Sequence, residues 1–228
     1  NIINVLYSGL DDEGLHLSLQ SEAALGLGEG GKAILSGPMG ATGINKISSF
    51  TAGFILVLIT ITVVEDQPGD TLSISVEDNG KGMSEETVKK VIDPFYTTRT
   101  TRSVGLGVPL FKMEAEMTGG SFTIRSQLGV GTNLIAVFKP SSVDMIPLGD
   151  INGTVQLLIS CNPQLDFIFH RVLLTDRGER REFALKTEEL RQVLGEDVPL
   201  DTPDVVLWIK EYLAEQTAEL TQGALPET

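Results

Sequence analysis

The 228-residue chain has one cysteine, Cys161, so no internal disulfide framework is possible, and the composition fits a reducing, cytoplasmic setting. A lone cysteine of this kind reads as a small buried hydrophobe. Only two histidines, His16 and His170, accompany it, too few with Cys161 for a zinc cluster. Basic residues are scarce: 17 lysines and arginines face 31 aspartates and glutamates, a formal net charge of -14. Such a surface repels a phosphate backbone, which argues against a general nucleic-acid binder. No long hydrophobic run occurs. The most apolar stretch, FILVLITITVV from Phe54 to Val64, falls short of the roughly 20 residues a bilayer span needs. Its β-branched residues predict a buried strand instead. The opening Asn-Ile-Ile-Asn has no basic region and does not fit a secretory signal. Neither nucleic acid nor membrane is expected as a partner.

What is present is 41% hydrophobic and 21% charged, enough apolar material for a core. Residues 1–50 form an atypical segment without a clear pattern. Seven glycines between Gly26 and Gly43, with Pro38 among them, break any long helix there. Gly26 to Ala33 fits the Gly-x-x-x-x-Gly-Lys core of a phosphate-binding loop. Ala33 stands where that loop needs a magnesium-binding hydroxyl, so the segment reads as a plain glycine-rich loop.

From Phe54 the order sharpens. A strand to Val64, a turn at Gln67-Pro68-Gly69-Asp70 and alternating Leu72, Ile74 and Val76 predict a hairpin. Ser84 caps a short helix that Pro94 ends, and Val108–Met117 carries helical spacing stopped by Gly119-Gly120. Two strands, Ser121–Ser126 and Asn133–Phe138, flank a glycine turn. Lys139-Pro140-Ser141-Ser142 suggests a boundary, giving a domain over 51–139 and a small acidic α+β module over 140–228. In that module a helix over Val155–Ser160, strands over Asp166–Leu174 and Arg181–Leu185, and helices near Thr187–Leu194 and Pro203–Glu215 are expected. It carries 16 acids against 7 bases, most of the negative charge.

Four segments between Asp78 and Thr132 point to chemistry. In Asp78-Asn79-Gly80-Lys81-Gly82-Met83 a carboxylate ends a strand, able to accept from an exocyclic amine, and glycines allow close approach to a flat ring. Asp93-Pro94-Phe95-Tyr96-Thr97-Thr98-Arg99 gathers aromatic surface, hydroxyls and a guanidinium on one loop. Gly105-Leu106-Gly107-Val108-Pro109 leads into a helix whose N-terminal N–H groups would face an anion. Six of the ten basic residues before position 140 lie between Lys81 and Lys112, where phosphates would need them.

Together, DNGKGM, DPFYTTR, GLGVPL and GVGT resemble the GHKL ATPases, and within them the histidine-kinase ATP-binding domain. The chain is more similar still to small stand-alone ATPase-like proteins of anaerobic bacteria, often linked with hydrogenases. The resemblance implies an α+β, two-layer sandwich of the GHKL (Bergerat) type, its sheet mixed and mainly antiparallel. It further implies ATP as ligand, with magnesium as companion. Asp78 would bind the adenine amine with Thr132 on the same edge; Gly80 and Gly82 would seat the ring and Met83 pack on it. Phe95, Thr98 and Arg99 would begin a lid, and Gly105, Leu106 and Gly107 would wrap the phosphates, with Arg102 and Lys112 as further phosphate contacts. Magnesium in this family is held by an asparagine, usually after an acidic residue, on a helix. Here that region reads SGPMGATGINKISSFTAGF, and Asn45 is the nearest asparagine, preceded by Ile44. Two functions follow as expectations. One is phosphotransfer to an unidentified protein partner, as an ATP-dependent kinase or ATPase. The other is a non-catalytic ATP sensor whose lid switches a partner surface. His170 sits in a strand-like IFHRVLL, and neither it nor His16 reads as a phosphoacceptor.

Overall fold

A computed structural model describes residues 27–28, 32–33, 58–93, 107–195 and 198–222. In the glycine-rich segment, β1 (Leu27–Gly28) and β2 (Lys32–Ala33) pair antiparallel. Lys32 thus sits in β2, and the other residues of the glycine-rich segment apart from β1 lie outside the described residues.

The main body is one six-stranded sheet in the order β5-β6-β4-β3-β7-β8. Its strands are β3 (Leu58–Asp66), β4 (Thr71–Asp78), β5 (Ser121–Gln127), β6 (Gly131–Phe138), β7 (Asp166–Leu174) and β8 (Arg180–Lys186). Every pairing is antiparallel except β3 with β7. β3 lies between two neighbours, and its Ile-Thr-Ile-Thr-Val-Val run suits a central strand. The helices are α1 (Glu85–Val91), α2 (Gly107–Met117), α3 (Ile151–Cys161), α4 (Thr187–Leu194) and α5 (Pro203–Thr221).

Alternation along the strands divides the sheet into two faces. Every strand residue in the core cluster falls on one of them: Ile59, Ile61 and Val63; Leu72 and Ile74; Ala136 and Phe138; Phe167, Phe169 and Leu173; Phe183 and Leu185. The opposite face mixes Thr60, Thr62, Ser73, Ser75, Thr123 and His170 with Val64, Val137, Ile168 and the buried Val172. On the apolar face α2 packs over β5 and β6, with Phe111 tilted against Phe138 at 5.5 Å between ring centres and edge-on to Phe122 at 6.4 Å. α3 and α5 pack on each other and on β7. The result is the two-layer α+β arrangement expected.

The expected break at Lys139–Ser142 does not separate two sheets. Residues after it supply β7 and β8 to the same sheet, and Val155, Ile159, Ile209 and Leu213 to the same core cluster. The physical reason is β3: its second edge would stand unpaired without β7. Two further expectations change. The helix expected over Val155–Ser160 begins at Ile151, because the Asp150 carboxylate accepts from Gly153 N–H at 2.8 Å and caps it. Cys161, expected in the core, is exposed at the last position of that helix.

Candidate functional site

β4 ends at Asp78 with its side chain on the helix-covered face, in register with Thr132 on β6. The hairpin that follows closes through a three-residue turn, Leu128 to Val130, which pairs Gln127 with Gly131 and so sets Ser126 opposite Thr132. Asp78, Thr132 and Ser126 therefore form one polar row across three strands. The row continues as Ile59 and Phe167 on β3 and β7, where it turns apolar.

Two backbones interlock beside this row. Gly82 has φ +65°, and a Cβ there would lie 1.9 Å from the Gln127 carbonyl oxygen. Gly131 has φ +131°, and its Cβ would lie 1.9 Å from the Asp78 carbonyl oxygen. Both positions need glycine for conformation and for space. Gly129 N–H donates to the Lys81 carbonyl at 2.7 Å, and Met83 N–H to Ser126 Oγ at 2.7 Å. Asn79 Oδ1 accepts from Leu58 N–H at 2.7 Å and anchors the start of β3. The loop from Asp78 to Met83 and the β5–β6 turn are thus one fixed unit.

Asp78 Oδ1 accepts from Gly80 N–H at 2.8 Å. A side chain at Gly80 would place its Cβ 2.8 Å from that same oxygen, so glycine keeps the carboxylate in place. Burial pushes the Asp78 carboxyl above the usual aspartate range, opposed by hydrogen bonds from Gly80 and from the Thr132 backbone and hydroxyl. No cation pairs with it among the described residues. Among the described residues its hydrogen-bond donors are neutral, and the adjacent Glu77 charge adds to the effect of burial, which leaves an anionic acceptor at the end of an interior strand. Such a group suits a neutral donor such as an exocyclic amine.

The expected site residues divide by region. Asp78, Gly80, Gly82, Met83 and Thr132 are gathered at the end of β4, and Met83 is buried there. Gly107 is buried as the first residue of α2. Lys112 lies in the second turn of α2, its Nζ 4.0 Å from Glu116 Oε1. Phe95, Thr98, Arg99, Arg102, Gly105, Leu106 and the metal candidate Asn45 lie outside the described residues. Sequence reasoning passed over Ser126 and took Gly131 only as part of the GVGT segment. Hairpin arithmetic would have found the serine, since a three-residue turn fixes which residue faces Thr132.

Comparison with known proteins matches this region. Residues 46–142 match the family described as histidine kinase-, DNA gyrase B-, and HSP90-like ATPase. Sensor histidine kinase YvrG of Bacillus subtilis (strain 168) is 32% identical over 83 residues, 35% of this chain and 14% of that protein. Sensor protein SrrB of Staphylococcus aureus (strain NCTC 8325 / PS 47) is 39% identical over 82 residues, 34% of this chain and 14% of its own length. The matched part is thus about one seventh of each of these relatives. Among the described residues no helix is long and apolar enough to cross a membrane.

Proposed function

We propose that this chain, whose residues 46–142 are a histidine-kinase-like ATP-binding domain, binds ATP with its adenine amine on Asp78 and uses it for phosphotransfer to a protein partner. The observation that carries the reading is the Asp78 carboxylate, half-buried and ringed by neutral donors within a glycine-locked frame. An amine arriving there replaces water lost on burial, and a hydrogen bond to an ionised carboxylate is worth about 1.5–3 kcal/mol. Thr132 holds the carboxylate from its own strand. Gly107 opens α2 beyond the segment that carries Gly105 and Leu106, where a helix N-terminus would meet the phosphates. Phe95, Thr98, Arg99 and Arg102 are proposed for the lid and its phosphate contacts, and Lys112 for a further one. Magnesium would accompany the phosphates, with Asn45 as its proposed ligand; the Asp78 pocket itself needs no metal to hold the base.

One observation favours a second reading, an ATP sensor that does not transfer phosphate. The stretch SGPMGATGINKISSFTAGF has proline and glycines where a metal-holding helix is expected, and Ile44 where an acid would precede the asparagine. Calorimetric titration with ATP, with and without magnesium, followed by a phosphate-release assay, tests both. Binding together with magnesium-dependent turnover supports phosphotransfer, and binding without turnover supports sensing. No binding in either condition overturns both.

A further inference from the structure

The buried stripe of α5 is Val205, Ile209, Leu213 and Leu220. One flank of that stripe carries, at helical spacing, Asp204, Trp208, Glu211, Tyr212, Glu215 and Glu219, while Lys210 falls on the other flank. Two aromatics thus share a helix face with four acids. None of those acids is in an ion pair among the described residues. Trp208 is 46% exposed. It stacks on Tyr212, with ring centres 5.1 Å apart and planes 13° from parallel. Tyr212 Oη donates to the Ala184 carbonyl at 3.3 Å, which fixes the stack beside β8, the last strand of the sheet. Burial pushes the Tyr212 hydroxyl up, and the charges of Glu189 and Glu219 push it further, so both carboxylates lie near the ring. Glu189 is paired with Lys186 at 2.6 Å.

We propose that this flank of α5 docks an arginine-bearing segment of a protein partner, with a guanidinium stacked on Trp208 and bonded to the carboxylates beside it. Tyr212 covers one face of the indole, and Asp204 lies one turn back along the helix, on the other side of the ring. An aromatic face attracts a cation. A planar guanidinium can stack on that face while its N–H fork meets a carboxylate, whereas an ammonium offers only a point charge. Charge selects the occupant: residues 140–228 carry 16 acids against 7 bases, so an acidic segment, an anionic membrane or a phosphate backbone is repelled and a basic segment is drawn in. An exposed tryptophan and tyrosine supply the kind of anchor that arginine meets at the centre of protein interfaces. The proposal does not rest on the ATP reading, because β3 and β7 separate β8 from the strand that carries Asp78.

The probe is an acetylated, amidated peptide of Gly-Arg repeats, set against its lysine counterpart of equal charge and titrated into the 228-residue chain without nucleotide. Trp208 is the chain's one tryptophan, so its fluorescence reports this flank directly. A saturable change is expected, with the arginine peptide bound about threefold more tightly than the lysine peptide. By calorimetry, folded Trp208→Ala is expected to lose about fivefold in affinity for the arginine peptide. The double variant Asp204→Asn with Glu211→Gln keeps the indole and decides the matter if Trp208→Ala does not fold; it is expected to lose about as much and to show a shallower dependence on salt. An affinity within twofold of wild type in folded Trp208→Ala or in the double variant reduces the binding to diffuse attraction by an acidic chain and overturns the docking role. So does a wild type with no saturable change, or one that holds the lysine peptide as tightly. None of these outcomes bears on Asp78, whose ATP titration is decided separately.

Discussion

Asp78 and Asp166 sit at the same end of the sheet, each opposite the start of β3, one across from Ile59 and the other from Leu58. Each has a threonine beside it, Thr132 in register with Asp78 and Thr187 donating to Asp166. Phe167 N–H donates to Thr187 Oγ1 at 2.8 Å, and Thr187 donates to Asp166 Oδ1 at 3.1 Å. Their difference lies in what completes the carboxylate. Arg191 Nε donates to Asp166 at 3.1 Å, and the same guanidinium holds the Leu165 carbonyl at 3.1 Å and the Pro163 carbonyl. Asp166 is thereby neutralised and consumed in tying α4 to β7. Among the described residues Asp78 has only neutral donors. A carboxylate with its threonine is therefore not a site by its form; the absence of a cation among the described residues is what sets the proposed site at Asp78 apart.

The largest effect is expected from breaking the frame around Asp78. Gly131→Ala puts a Cβ onto the Asp78 carbonyl at a positive φ. It should cost roughly 3–4 kcal/mol in urea unfolding and abolish ATP binding. Breaking the other carboxylate comes next. Asp166→Asn should lower stability by about 2 kcal/mol, since it leaves a part-buried guanidinium uncompensated, with ATP affinity within twofold of wild type. Acidification sharpens the contrast. The folded carboxyl of Asp78 lies above the usual 3.8, so ATP affinity should begin to fall at a higher pH than for an ordinary aspartate, followed by calorimetry. The linked stability has the opposite sense. A raised carboxyl contributes stability fully below 3.8 and loses it as pH rises through the folded value, so at neutral pH the charge at Asp78 is a cost to folding. Lys112→Ala should give the smallest change, about 0.3 kcal/mol in stability, because its pairing with Glu116 is long and exposed. Any loss of ATP affinity in that variant reports the proposed phosphate contact.

Much of this was legible in the sequence because the signals were local. Ser84 caps α1 through Thr87 N–H as its position suggested, Gly119 stops α2 at φ +79°, and the alternation of Leu72, Ile74 and Val76 marked the buried face of β4. What escaped depended on partners far along the chain. Asp150 caps a helix one turn ahead of the expected start at Val155, and β7 completes β3 from about a hundred residues away. The glycines show the limit most clearly. Gly82 was expected to make room for a ring, and in the structure a side chain there would strike the Gln127 carbonyl, so its first demand comes from the protein's own backbone. Ser126 was missed because its place opposite Thr132 exists only once the hairpin register is known.

The most direct test is ATP titration of the wild type, Asp78→Asn and Asp166→Asn side by side, each with its unfolding curve. Asp78→Asn is expected to lose about 30-fold in affinity, on the order of 2 kcal/mol, with no loss of stability at neutral pH, while Asp166→Asn shows the reverse pattern. Equal ATP affinity in wild type and Asp78→Asn, or an equal loss in both variants, would contradict the distinction between the two carboxylates.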